Sequence, residues 1–201
     1  MQIRMTLIAA AAALVGVSAQ AATFERVSGA GFSAGAAMPA VALTDLVIDL
    51  TGITTDAVQG DPSNTVLMYS LAGGTLIDGL SWDTVQTAFS PSWLSEMVIT
   101  FTNSDGNGVN LTPGVADSMS GTASYSDAAM LSDYGLAFAL GADGLLRVEF
   151  NESFNDSGVT PDGLFNSGNL TFTNAVPEPG TYGLMALGLL AVGAAARRRP
   201  S

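Results

Sequence analysis

The chain has 201 residues, with no cysteine, no histidine and no lysine, and all six of its basic residues are arginines. Without cysteine there is no disulfide framework and no thiolate metal site, and without histidine there is no Ser-His-Asp triad and no histidine-bound zinc. Residues 22–175 contain 17 acidic residues and two arginines, so their side-chain charge is −15. A surface of that sign repels phosphate backbones, which excludes nucleic acid as a partner.

Residues 1–21 have the three-part pattern of a secretory signal peptide. A basic start at Arg4 is followed by an apolar run over 7–17 and by the small-residue motif Ala19-Gln20-Ala21. The apolar run is too short for a membrane-spanning helix, and the small side chains fit the pocket of a signal peptidase. We therefore predict export of the chain and cleavage after Ala21.

Residues 22–43 are rich in glycine, alanine and serine, which predicts a loose lead-in, with regular structure beginning only after residue 42. In the body, 44–175, apolar residues alternate with polar ones in short segments, as in strands with one buried face. Turn pairs such as Gly73-Gly74 separate these segments, and no amphipathic stretch is long enough for a crossover helix. We predict an all-β fold, an antiparallel β-sandwich of jelly-roll type with about eight strands. The alternating residues are Leu46, Ile48, Leu50, Leu67, Tyr69, Leu71, Met97, Ile99, Phe101, Leu146, Val148, Phe150, Leu170 and Phe172.

Both tryptophans of the chain stand near acidic residues, in the segments 81–83 and 92–96. A flat ring that stacks on a pyranose and carboxylates that bind hydroxyl groups are the components of a sugar-binding surface. The alternative is that one or both rings fill the core, because tryptophan is usually well buried. The residues of the sugar-binding hypothesis are Trp82, Asp83, Trp93 and Glu96.

Side chains with oxygen atoms occur at alternate positions of the segment 103–108, as in the first half of a calcium-binding loop. These residues are Asn103, Asp105 and Asn107. The second half is missing, because the twelfth position is Gly114 where such a loop needs glutamate. Asp-Gly and Asn-Gly are also the commonest hairpin connectors. The segment predicts a plain hairpin turn. Calcium could bind here only at a weak, exposed site, and we predict no other cofactor.

The C-terminal segment 176–199 contains three features in a fixed order. The first feature is the triplet Pro177-Glu178-Pro179. Because proline does not fit inside a helix, a helix can begin only after this triplet. The next 17 residues, 180–196, are uncharged and mostly apolar, which as a helix is about 25 Å against a hydrocarbon core of about 30 Å. Arg197, Arg198 and Arg199 follow, and the positive-inside rule keeps them cytoplasmic. We predict a short transmembrane helix that holds the body outside the inner membrane.

In this order at the C-terminus, the three features resemble the PEP-CTERM sorting signal of Gram-negative bacteria, a tail that is also labelled an ice-binding protein C-terminal domain. The resemblance implies processing by an exosortase, which is a membrane peptidase, and then release or attachment at the cell surface. It also implies a frequent association with exopolysaccharide. It implies nothing about the body, since unrelated bodies carry this tail.

The sequence therefore favours an exported, non-catalytic protein of the cell surface or extracellular matrix, associated with exopolysaccharide or biofilm. The alternatives are a carbohydrate-binding module and a glycan-active enzyme that uses paired carboxylates. Glu149 and Glu152 are the nearest such pair, but on a strand they would point to opposite faces. That geometry is poor for two carboxylates that must flank one glycosidic bond.

Overall fold

The computed structural model describes residues 22–29, 31–32, 45–156 and 160–173. Among these residues there are twelve β-strands, two single-turn 3₁₀ helices (Leu94–Glu96 and Leu131–Tyr134) and no α-helix. The strands are β1 (Thr23–Ser28), β2 (Asp45–Asp49), β3 (Ile53–Thr55), β4 (Thr65–Ser70), β5 (Leu76–Ile77), β6 (Gly79–Ala88), β7 (Met97–Thr102), β8 (Asn107–Thr112), β9 (Gly121–Met130), β10 (Phe138–Ala139), β11 (Leu145–Glu152) and β12 (Gly163–Thr173).

The strands form two larger sheets and one small one. The first sheet has the strand order β1-β8-β7-β11-β4. The second sheet has the order β2-β12-β6-β9, and β3 also pairs with β12, while β5 and β10 form a two-stranded ribbon. Every pairing between these strands is antiparallel. The predicted all-β fold with antiparallel sheets is confirmed.

One hydrophobic cluster contains buried residues from both larger sheets. Two edge-on aromatic contacts join the sheets, Phe101 with Phe172 at 5.1 Å between ring centroids and Phe150 with Phe165 at 5.5 Å. Burial of each such ring contributes about 1.5–3 kcal/mol relative to exposure. The five alternating segments that the sequence predicts coincide with β2, β4, β7, β11 and β12. Period-two alternation therefore identified five strands in which at least two successive inward side chains are apolar.

Regular structure begins earlier than the sequence predicts. Strand β1 lies within the predicted lead-in, and all six of its residues pair with β8. The ring of Phe24 on this strand contacts the ring of Trp82 edge-on, with 5.7 Å between their centroids. The expectation that regular structure begins only after residue 42 is wrong, because a distant strand and a distant ring supply the contacts that the local composition lacks.

Both predicted targeting segments lie outside the described residues. These are the signal peptide, 1–21, with its cleavage residues Ala19 and Ala21, and the sorting tail, 176–199, with its apolar segment 180–196. Over the ranges that the structure describes, no helix has the length and apolar character needed to cross a bilayer.

Candidate functional site

The structure separates the two tryptophans of the sugar-binding hypothesis. Trp82 lies on β6 with its side chain in the core, where it is only 4% exposed. The neighbouring Asp83 is exposed, as alternation along a strand requires. The ring of Trp82 cannot stack on a sugar, and for this residue the alternative interpretation, a core side chain, is correct.

Trp93 is placed differently, at the start of the 3₁₀ turn Leu94–Glu96, and 46% of it is exposed. The backbone N–H of Trp93 donates a hydrogen bond of 2.8 Å to Oε2 of Glu96. The backbone N–H of Glu96 donates a hydrogen bond of 3.0 Å to the carbonyl of Trp93. These two bonds fix the carboxylate of Glu96 against the backbone of Trp93. Trp93 and Glu96 are therefore brought together, whereas Trp82 and Asp83 lie elsewhere on β6.

Asn103, Asp105 and Asn107 form the turn between β7 and β8. The Oδ1 atom of Asn103 accepts hydrogen bonds from the backbone N–H groups of Asp105 at 3.0 Å and Asn107 at 2.9 Å. Its Nδ2 donates to the carbonyl of Ala139 at 3.0 Å. Gly106 closes the turn with a φ of 80°, which glycine adopts without steric cost. These contacts build a hairpin and already use the Asn103 oxygen. Calcium binding at this turn stays a prediction.

The outward face of the first sheet carries a short chain of polar side chains. Oγ1 of Thr100 donates to Oδ1 of Asn110 at 2.6 Å and accepts from Nδ2 of Asn151 at 2.7 Å. Thr100 and Asn151 are buried and Asn110 is half-buried. Each of these three side chains has a hydrogen-bond partner among the other two, and these hydrogen bonds hold the three side chains in one arrangement.

Glu149 lies on the same outward face, and its side chain is fully buried. Its Oε1 accepts hydrogen bonds from the backbone N–H of Gly60 at 2.7 Å and from Nδ2 of Asn64 at 2.8 Å. Its Oε2 pairs with Arg147 at 2.5 Å. Both oxygens are satisfied, so Glu149 fastens the loop 56–64 to the sheet and has no free oxygen for chemistry.

A second group of buried carboxylates lies where β11 ends and β12 begins. Glu152 is the last residue of β11 and is 1% exposed, and Asp162 directly precedes β12 and is 0% exposed. Thr55 lies between them, because its Oγ1 donates to Oε1 of Glu152 and its carbonyl accepts from the backbone N–H of Asp162 at 2.9 Å. Within the described ranges, Oε2 of Glu152 and both carboxylate oxygens of Asp162 are buried without a hydrogen-bond partner.

The surroundings of this pair make ionisation unfavourable. Burial raises the pKa of Glu152 to about 8, and the negative charges of Asp162, Glu96 and Asp156 add to the rise. Burial also raises the pKa of Asp162, which the backbone N–H of Asp156 partly offsets without making a full hydrogen bond. A carboxylate charge on this pair is therefore poorly solvated, and the protonated form of Glu152 is favoured at neutral pH.

Sequence reasoning missed this pair. It considered Glu152 only as a catalytic partner for Glu149, and it gave Asp162 no role. The two glutamates do occupy positions of opposite parity on β11, as predicted. Glu152 and Asp162 are only ten positions apart, but Thr55, which lies between them, is 97 positions from Glu152 in the chain, so no local pattern could have revealed the arrangement.

Comparison with known proteins places one motif on the chain. The family described as the PEP-CTERM protein-sorting motif matches residues 175–199. A search of curated proteins found no match.

Two solved structures share a limited likeness with the chain. The first is the crystal structure of dimeric latent PorU from Porphyromonas gingivalis, at 8% identity and a TM-score of 0.33, over 72% of this chain and 14% of that one. The second is a nora virus structure, at 10% identity and a TM-score of 0.26, over 68% of this chain and 61% of that one. This chain thus spans only part of each, and at these TM-scores neither likeness carries an argument.

Proposed function

We propose that the body of this chain is a non-catalytic component of the surface or extracellular matrix. The premise is that the chain is a PEP-CTERM sorting-signal protein, exported to the cell surface and sorted through an exosortase. The sorting motif at 175–199 carries the proposal, because such a tail serves to place the attached body at the cell surface. The body would act where exopolysaccharide or biofilm surrounds the cell, after a transient stage in the inner membrane.

We infer that the body is a jelly-roll β-sandwich. A jelly roll divides eight strands between two sheets. Numbered along the chain from β2 and leaving out β1 and the short β3, β5 and β10, the strands follow the order 1-8-3-6 in the second sheet and 2-7-4-5 in the first. That division supports the inference, with β1 as an added edge strand. Such a body needs no cofactor to hold its core.

The state of the carboxylates supports a non-catalytic body. A glycosidase needs two carboxyl groups that flank the scissile bond from within an accessible cleft. The side chain of Glu149 has both oxygens engaged, and Glu152 and Asp162 are at most 1% exposed. The chain also has no histidine, cysteine or lysine to act as base or nucleophile.

A second candidate function, carbohydrate binding, is favoured by the exposed ring of Trp93 beside Glu96. An aromatic face and a carboxylate can bind a pyranose without any reaction. This activity is compatible with a matrix role, because it would attach the exported body to exopolysaccharide.

The sorting step is tested by replacing Pro177, Glu178 and Pro179 with alanine in the producing bacterium. We expect the variant to stay full length in the inner membrane, whereas the parent is shortened and reaches the surface. Immunoblots of fractionated cells measure both length and location. A conservative Leu184→Ile variant serves as the matched control within the apolar segment, and it should behave like the parent.

A second variant separates the triplet from the charge cluster. Replacing Arg197, Arg198 and Arg199 with glutamine removes the charges that resist passage through the bilayer, each of which costs about 2.5–3.5 kcal/mol at the centre of a helix. We expect this variant to be held less firmly in the membrane. If the triplet variant is processed like the parent and only the arginine variant escapes processing, the triplet is a spacer and its proposed role is wrong.

A further inference from the structure

Three buried carboxylate oxygens make no full hydrogen bond with any described residue. They are Oε2 of Glu152 and both oxygens of Asp162. Buried carboxylates in proteins are normally paired, hydrogen-bonded or bound to a metal, because an isolated charge is poorly solvated in the interior. Glu149, three positions earlier on β11, follows that rule with three partners. Glu152 and Asp162 therefore lack a partner that the rest of the fold provides for comparable groups.

No basic side chain in the described ranges can supply that partner. Arg26 donates to the carbonyl of Gly135, and Arg147 pairs with Glu149. The other four arginines of the chain, at positions 4 and 197–199, lie in the two targeting segments. The charged groups that do act on the pair are acidic, and they are Asp56, Glu96 and Asp156. Within the described residues, the pair is neutralised either by protonation, which the raised pKa of Glu152 favours, or by a cation that no described side chain supplies.

We propose that Glu152 and Asp162, together with the hydroxyl of Thr55, bind one calcium ion. Thr55 is suited to the third position because its Oγ1 already lies against Glu152 and its backbone carbonyl holds the N–H of Asp162. Within the described part of the chain no three acidic side chains are grouped to hold an ion together. The site therefore consists of two carboxylates with neutral oxygens, as calcium sites often do.

The chemistry of the ligands selects the class of ion. Only oxygen ligands are available, and a chain without cysteine and histidine offers neither thiolate nor imidazole to zinc, copper or iron. Calcium accepts six to eight oxygens in irregular arrangements, whereas magnesium requires a near-ideal octahedron and keeps most of its water. A buried pair of carboxylates with one hydroxyl is closer to the irregular oxygen arrangement that calcium accepts. The proposal does not depend on the function of the body and concerns a site distinct from the turn at 103–107.

The ion would fasten three segments that are distant in sequence. Thr55 ends β3, Glu152 ends β11, and Asp162 leads into β12. These strands belong to both larger sheets, so an ion between them would hold one end of the body together. Binding to the folded state alone raises the stability of that state by mass action.

The experiment uses the full chain at neutral pH and measures calcium binding by equilibrium dialysis and unfolding by urea. We expect one bound calcium ion per chain. With a dissociation constant of about 0.1–1 mM, typical of extracellular sites, about 5 mM calcium should lower the unfolding equilibrium constant by about 6- to 50-fold relative to chelator. Magnesium at the same concentration should have a smaller effect.

The variant Glu152→Gln/Asp162→Asn keeps the shape of both side chains and removes their charge. We expect it to lose calcium binding and to unfold in chelator at the same urea concentration as the parent or a higher one, which separates loss of a ligand from misfolding. If it does not fold, the single variants should each weaken calcium binding at least about tenfold, or about 1.4 kcal/mol. The matched control is Asp105→Asn, in the turn between β7 and β8, which should bind calcium like the parent.

Two results would overturn the proposal. The first is a parent chain that binds no calcium and unfolds identically in calcium and in chelator. The second is a calcium response that the double variant keeps and the Asp105→Asn variant loses, because the ion would then lie in the hairpin turn.

Discussion

Glu149 and Glu152 are two buried glutamates on the same strand that differ in whether their carboxylate oxygens have partners. Both are buried on β11, but Glu149 has a cation and two N–H donors, and Glu152 has one hydroxyl for two oxygens. The sequence correctly predicted that they occupy opposite faces of a strand. It could not predict which of the two would be satisfied, because Gly60, Asn64 and Thr55 reach them only in the folded chain.

The raised pKa of Glu152 predicts a particular pH dependence of stability in the presence of chelator. The folded pKa of about 8 lies above the value near 4.5 for the unfolded chain, so the unfolded state loses its proton first. The contribution of this group to the free energy of unfolding is fully present below about pH 4.5 and is lost as the pH rises to about 8. Asp162, whose pKa is also raised, acts in the same direction.

Urea unfolding of the full chain at a series of pH values measures this effect. We expect the free energy of unfolding to fall across that window by a few kcal/mol, and the Glu152→Gln variant to show a shallower fall. Glu25→Gln, at an exposed position of β1, is the matched control and should keep the parent's slope. A parent stability that is flat or rising across the window would contradict the prediction.

At the scale of elements, strands β6 and β1 are among those that the alternating segments did not identify, and they were missed for different reasons. Strand β6 has the polar residues Thr84 and Gln86 on its buried face, both 0% exposed, so its apolar alternation is interrupted. The amide of Gln86 donates to the carbonyl of Leu94 at 3.3 Å, which a sequence pattern cannot anticipate. Strand β1 has only Phe24 and Val27 as large apolar residues and depends on its pairing with β8.

The 3₁₀ turn that begins after Trp93 is the element on which carbohydrate binding depends. Replacing Trp93 with alanine removes the exposed aromatic face and should weaken binding of exopolysaccharide purified from the producing strain by about tenfold or more. Affinity electrophoresis measures the change. The matched control is Tyr134→Ala, a side chain 61% exposed that lies near the opposite end of β6. Equal retardation of the Trp93→Ala variant and the parent would exclude this turn as the binding element.

At the scale of the whole molecule, we propose that the two ends of the chain direct the body to its destination. The small-residue motif before Ala22 predicts that the exported protein begins at Ala22. Replacing Ala19 with phenylalanine should block cleavage, because the bulky ring does not fit the peptidase pocket, and N-terminal sequencing of the exported fraction measures the outcome. Gln20→Leu is the matched control, since the middle position of the motif tolerates size. Recovery of an intact Met1 from the parent would contradict the prediction.

The sequence alone determined the class of fold and the sorting motif. Both depend on features that are local in the chain: period-two alternation of side chains, turn pairs, a proline triplet and an arginine cluster. The tertiary structure decided which tryptophan is accessible, that the Asn103 oxygen is used by its own turn, and that Glu152 and Asp162 are buried together. Those outcomes depend on burial and on partners distant in sequence, and a side chain acquires both only when strands from different parts of the chain are packed against each other.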